Sequence, residues 1–226
     1  MMPAPWLPVF LLLAAADWLA LWQGWQRVNY LTKPAAMLAL LIGFGWQGHF
    51  AGSLLWVGLG FGFSLLGDIF LLLSHGWFIY GLAAFLLAHV STIIGFLFPC
   101  PKLDAICWLP ALAVLVGWRV ISGRLKLAMR PPGPQARLQR PAELYGAMLG
   151  LMLFSTLATL FRRDWDVPAA ALAAAGGLLF FCSDSLLAFD RFVRPFPRAR
   201  FWVRVTYHLG QLGLALGALL HALGHF

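Results

Sequence analysis

Ser64-Leu65-Leu66-Gly67-Asp68-Ile69-Phe70-Leu71-Leu72-Leu73 sets a carboxylic acid inside an otherwise apolar run. A second acid sits in the same kind of run much later, in Phe181-Cys182-Ser183-Asp184-Ser185-Leu186-Leu187-Ala188. Each acid follows a small residue and precedes x-x-Leu. An ionisable side chain inside a membrane span costs roughly 2.5–3.5 kcal/mol on insertion scales, so such residues mark function by default. The two acids read as halves of one site.

Composition fixes the solvent around these runs. The chain has 226 residues, of which 62% are hydrophobic and only 11% charged, and its mean hydropathy is +0.82. A soluble domain carries about 25% charged residues. A membrane-spanning helix needs about 20 apolar residues. The expectation is an all-α polytopic bundle of about eight transmembrane helices, with residues 1–226 forming one membrane domain.

The spans are placed at about 5–22, 34–48, 52–73, 77–98, 104–121, 143–160, 167–188 and 201–222. Lys33-Pro34 is read as the start of the second helix, because proline favours the first helical position. The longest polar stretch, Ser122 to Pro141, separates the fifth span from the sixth. Ala14-Ala15-Ala16 resembles a cleavage site, but no basic residue precedes it. The first run is therefore read as a retained span.

The net charge of +8 is not a nucleic-acid signal, and no nucleic-acid partner is expected. The basic residues lie between apolar runs, where they set topology. The links after the odd-numbered helices hold Arg27, Lys33, Arg119, Arg124, Lys126, Arg130, Arg137, Arg140, Arg191, Arg194, Arg198, Arg200 and Arg204. The opposite side holds Lys102, Arg162 and Arg163. The richer side is expected in the cytoplasm of a bacterial inner-membrane protein, with both termini outside.

In that topology Asp68 and Asp184 lie about one and a half turns before the inner ends of the third and seventh helices. Tyr207 and Gln211, four apart and so on one face, enter the eighth helix from the same side. His89 lies near the middle of the fourth, and Lys33 marks the inner end of the second. A lone buried Asp can simply tie helices together; two at matched depth point to chemistry. Asp17 finds no partner in its own helix. His221 and His225, four apart, suit a metal in principle, but lie at the outer end with no acid cluster, so no metal and no cofactor are expected. Cys100, Cys107 and Cys182 give no disulfide framework.

The remaining patterns read as packing. Gly58, Gly60 and Gly62, Gly146 and Gly150, and Gly213 and Gly217 are small residues at helix-contact spacing. Trp6, Trp22, Trp25, Trp46, Trp77, Trp108, Trp165 and Trp202 fall near span ends, as interface belts do. Asp68 and Asp184 are about half the chain apart, which suggests a 4+4 internal repeat. No G-x-S-x-G elbow, H-E-x-x-H or P-loop is present, so serine-esterase and zinc-hydrolase chemistry lack support.

These motifs together carry a resemblance. Gly67-Asp68-x-x-Leu71, Gly81-Leu82-x-Ala84-Phe85-Leu86-Leu87-Ala88-His89, Phe180-x-x-Ser183-Asp184-Ser185-x-x-Ala188-x-x-x-Phe192 and Tyr207-x-x-x-Gln211 resemble the YhhN lysoplasmalogenase family, as does Tyr30-Leu31-Thr32-Lys33-Pro34. One departure stands out: where that family often has Tyr three residues after the His, this chain has Thr92. The resemblance implies an eight-helix membrane hydrolase that cleaves the vinyl ether of 1-alkenyl lysophospholipids. The products would be a fatty aldehyde and glycerophospho-ethanolamine or -choline.

The residues suit that chemistry. A vinyl ether hydrolyses by protonation on carbon, and water captures the resulting oxocarbenium ion. Two carboxyls supply an acid and an anion, as they do for the oxocarbenium ion of glycosidases. The expected catalytic pair is Asp68 and Asp184, with the acid and base roles open. Lys33, His89, Tyr207, Gln211 and Ser183 are the expected substrate-binding residues, and Lys33 with the inner-face arginines would hold the phosphate. A transporter using paired intramembrane acids is the alternative; it would move substrate without converting it. An intramembrane aspartyl protease fits less well, since its usual Gly-x-Gly-Asp is Leu65-Leu66-Gly67-Asp68 here.

Overall fold

The computed structural model describes residues 5–73, 75–99, 105–129 and 136–224. The first four residues, Cys100, Lys102, Arg130, the run Pro131-Pro132-Gly133-Pro134 and His225 lie outside the described residues, as do the side chains of His75 and Cys107. The cysteines Cys100 and Cys107 and the His221–His225 pair as a metal site therefore cannot be placed from the described residues.

Among the described residues eight long helices follow one another: α1 (Trp6–Gln23), α2 (Gln26–Gly48), α3 (Ser53–Leu72), α4 (Phe78–Leu97), α5 (Leu109–Ala128), α6 (Gln139–Ala158), α7 (Val167–Ala188) and α8 (Ala199–Leu223). Six of them, α1 to α4, α6 and α7, are long and apolar enough to cross a membrane. The chain is an integral membrane protein. With no water in the bilayer core, each span must satisfy its own backbone, and a helix does so within one segment.

Local chemistry sets several boundaries. α1 stops at Gly24, whose φ of 75° takes the left-handed turn that lets its N–H reach the Ala20 carbonyl. α5 and α7 each open with proline in the first turn, where the missing N–H costs nothing.

Two boundaries differ from the expectation. α2 begins eight residues before Pro34, which therefore lies inside the helix. A proline in a membrane helix is tolerated because neighbouring helices re-satisfy the freed backbone. α5 runs on to Ala128, carrying Arg119, Arg124 and Lys126 on helix and not in a loop. Charge does not end a helix; Arg and Lys are good helix formers.

α7 lies against α8, and α3 against α4, as the most intimate pairs. In lipid, such pairing rests on van der Waals fit and not on expelled water, so small residues decide it. A Cβ on Gly176 would stand 2.4 Å from the Leu214 backbone nitrogen, and one on Gly217 2.6 Å from that of Ala173. Gly213 meets the backbone of Gly176 in the same way, and Gly60 meets the Thr92 hydroxyl and the Ala88 carbonyl. Gly58 instead makes room for the Phe50 ring, and Gly62 faces open space, so it has no packing duty. Gly146 and Gly150 meet Trp118 and Val114 only at ordinary or slightly tight distance.

The tryptophans divide similarly. Six of the eight expected belt residues are exposed, but Trp6 and Trp165 are buried. Trp6 packs on Gly43 and donates its indole N–H to Gln47 Oε1 at 2.9 Å. Trp165 stacks between Phe96 and His221, so His221 is a ring contact near the C-terminal end of α8.

Candidate active site

Asp68 and Asp184 each lie four residues before the end of their helix, at Leu72 and Ala188. At 1.5 Å per residue both are about 6 Å in from the same end of the bundle. Both are buried, at 1% and 9% exposure, and both line one cavity of about 100 Å³. Neither carboxyl points to lipid.

Asp68 is the centre of a charged cluster. Lys33 Nζ of α2 lies 2.8 Å from Asp68 Oδ1. From α8, the Tyr207 hydroxyl donates to Asp68 Oδ2 at 2.8 Å. Each carboxylate oxygen thus faces its own donor, and one donor is an ammonium; charge-assisted bonds of this kind are the strong ones. Lys33 is 6% exposed. The residue expected at the inner end of α2, reaching for phosphate, is instead the buried counter-ion of Asp68. Its displacement follows from the early start of α2, which carries Lys33 two turns into the bundle.

Asp184 has a different neighbourhood. Tyr145 of α6 donates its hydroxyl to Asp184 Oδ2. His89 Nε2 lies 3.4 Å from the same oxygen and 3.0 Å from the Tyr145 hydroxyl. With Tyr145 donating to Asp184, the His89 tautomer protonated on Nε2 donates to Tyr145. The order is imidazole, phenol, carboxyl, with the carboxyl at the cavity.

Phe180 lies between the two clusters. Its ring centroid is 5.5 Å from Tyr207 and 5.1 Å from His89. The carboxyls therefore meet across the cavity and the edge of an aromatic wall, not by direct contact. The rest of the cavity wall is mostly apolar, with Trp118, Ile121 and Leu125 of α5, Leu149 of α6, and Phe181 and Leu187 of α7.

The expected binding residues fare differently. Tyr207 is at the cavity. Fully buried His89 stands behind Asp184 and does not line the cavity. Ser183 lines it, but its hydroxyl is committed to the Val203 carbonyl at 2.9 Å, tying α7 to α8. Gln211 is buried one turn beyond Tyr207, off the cavity wall, and its Nε2 has no hydrogen-bond partner among the described residues. Among those residues there is no group of three or more metal-ligating side chains.

Two participants were missed from sequence. Tyr145, not singled out in the sequence, brings an aromatic hydroxyl to the His89 neighbourhood from α6, while Thr92 replaces the tyrosine expected on α4. Arg204, counted among the loop arginines, is nine-tenths buried on α8 and lines the cavity. Its spacing held a clue: Arg204, Tyr207 and Gln211 fall at i, i+3 and i+7, one helical face. Asp17 is not isolated either. Its Oδ2 lies 3.2 Å from Arg204 Nη1, and its Oδ1 accepts from Asn29 and Thr32.

If the imidazole–phenol chain serves Asp184, Tyr145→Phe should lower turnover about tenfold or more. A hydrogen bond to a charged group is worth about 1.5–3 kcal/mol. The measurement is kcat with a near-constant KM and unchanged melting in detergent; an unaltered kcat would remove Tyr145 from the chemistry.

A family model described as the YhhN family matches residues 28–218. Lysoplasmalogenase TMEM86B of Mus musculus is 31% identical over 221 residues, spanning 95% of this chain and 86% of that protein. Lysoplasmalogenase TMEM86B of Rattus norvegicus is 31% identical over 194 residues, 85% of this chain and 73% of its own length. Lysoplasmalogenase TMEM86A of Homo sapiens is 30% identical over 175 residues, 76% and 67% of the two chains. No solved structure matches. The matched span runs from the start of α2 to near the end of α8 and takes in Lys33, Asp68, His89, Tyr145, Asp184 and Tyr207, and on it this chain belongs to the YhhN family.

Proposed function

We propose that the protein is a lysoplasmalogenase-type hydrolase that cleaves the vinyl ether of 1-alkenyl lysophospholipids. Water is consumed, and a fatty aldehyde and a glycerophospho-alcohol are released. The observation that carries the reading is a single apolar cavity holding two buried carboxyls with unlike partners.

The unlike partners support a division of roles. Asp68, with Lys33 on one oxygen and Tyr207 on the other, is the standing carboxylate. It stabilises the oxocarbenium ion and takes a proton from the attacking water. Asp184 is the acid. It delivers its proton to the vinyl carbon remote from the ether oxygen, while the Tyr145–His89 chain holds the carboxyl in position at the cavity. Water adds to the carbon bearing oxygen. As the hemiacetal breaks its bond to the glycerol oxygen, Asp68 hands that oxygen the proton taken from water and the hemiacetal hydroxyl returns its proton to Asp184, giving aldehyde and alcohol with both carboxyls back in their starting states. The alkenyl chain lies along Trp118, Ile121, Leu125 and Phe181.

By the positive-inside rule we read the basic side, which keeps eleven Lys and Arg once the buried Lys33 and Arg204 are set aside, as cytoplasmic. The site then lies in the cytoplasmic half of the membrane, with both termini outside. The test of function uses purified protein with a 1-alkenyl lysophospholipid and its saturated 1-alkyl analogue. Aldehyde from the first alone is expected. No conversion of either, with lipid moved across vesicles unchanged, would favour a transporter.

A further inference from the structure

We propose that Arg204 seats the phosphate of the substrate and that Asp17 holds Arg204 in place for it; this rests on the cavity accepting a lysophospholipid. Asp17 is fully buried. Its Oδ1 accepts from Asn29 Nδ2 at 2.7 Å and from Thr32 Oγ1 at 2.8 Å, both on α2. With that oxygen held by two neutral donors, the carboxylate cannot rotate, and Oδ2 is fixed facing Arg204 Nη1 at 3.2 Å.

The manner of pairing sets Arg204 apart from the structural arginine of the opposite end. Arg162 gives Asp164 a two-pronged grip, Nε at 3.1 Å and Nη2 at 2.6 Å, and spends Nη1 on the Phe96 carbonyl at 2.6 Å. Arg204 gives Asp17 the single nitrogen Nη1. A guanidinium has five N–H donors in a planar fork suited to phosphate. Arg204 lines the cavity while Asp17 does not. Of the other cavity cations, Lys33 is engaged by Asp68, and Arg191 lies over the Phe78 ring at 3.6 Å from its centroid.

Depth agrees. Arg204 precedes Tyr207 by three residues on α8, about 4.5 Å nearer the membrane surface. In a 1-alkenyl lysophospholipid, phosphorus is joined to the vinyl ether oxygen through one oxygen and three glycerol carbons. A phosphate on Arg204 leaves the double bond one turn deeper, level with Tyr207 and Asp68.

The test is binding, which needs no turnover. Purified protein is titrated with 1-O-alkyl-glycerophosphoethanolamine, which cannot be hydrolysed by this route, and with 1-O-alkylglycerol, which lacks the phosphate. The unmodified protein should bind the first at least about tenfold more tightly. Arg204→Gln should raise its Kd about 10- to 100-fold, as loss of a charge-assisted bond does, and leave the alkylglycerol Kd unchanged. Arg204→Lys should fall between, and Asp17→Asn should weaken the phosphate ligand alone. Equal binding of both ligands by the unmodified protein would overturn the proposal, even if Arg204→Gln fails to fold. Equal loss of both in Arg204→Gln or Arg204→Lys would overturn it too, by reducing Arg204 to a helix tie. Selective phosphate binding without aldehyde release would refute the hydrolase reading and leave this one standing.

Discussion

Asp184→Asn and Asp68→Asn should each lower aldehyde release by about a thousandfold, while the protein remains in the membrane. Positioned general acids and bases contribute about 10²–10⁴ in rate, and here each carboxyl is the one group at the cavity given its step. Asparagine keeps the shape and can still accept from Tyr145 or Tyr207, so the loss reads chemistry and not collapse. The two variants differ in a second respect. Asp184→Asn replaces a group held by a phenol and an imidazole and melts near the parent temperature. Asp68→Asn strands the buried Lys33 ammonium and melts well below it. Turnover at the parental rate in either variant removes the two-carboxyl mechanism.

The largest effect on stability comes from the other partner of that pair. Lys33→Met leaves the Asp68 carboxylate, 1% exposed, without its counter-ion. Removing one member of a buried ion pair costs about 3–5 kcal/mol, because a charge is left in an apolar medium, whereas replacing both members is close to neutral. Lys33→Met should therefore melt far below the parent and be inactive. Adding Asp68→Asn to it should restore most of the melting temperature and none of the activity. The thermal midpoints in detergent of the two single variants and the double variant form the cycle that measures this coupling. A double variant no more stable than Lys33→Met would mean that the two residues act separately.

Much of this arrangement was legible because the membrane makes charge conspicuous. Asp68 and Asp184 stand out from their apolar runs, and counting residues to the span ends placed them at one depth. Tyr207 followed from the same counting. What was not legible is long-range or masked by a commoner use of the residue. A tyrosine near the end of a span reads as an interface anchor, so Tyr145 gave no sign that it reaches the acid of another helix. Arg204 resembled its neighbours Arg198 and Arg200, and its partner Asp17 is 187 residues away in sequence. Pro34 was read by its usual role at helix starts; one misplaced boundary then put Lys33 at the surface, where it had no reason to meet Asp68. Gln211 had the right face but lies a turn too deep to reach the cavity.

The proposed hydrolysis turns on a proton passing from the protein to carbon. Hydrolysis of a 1-alkenyl lysophospholipid in D₂O, with the aldehyde trapped as it forms, tests this directly. One deuterium on the carbon next to the carbonyl, and no such product from Asp184→Asn, is the predicted result. Aldehyde released by the parent protein with no deuterium at that carbon would contradict it.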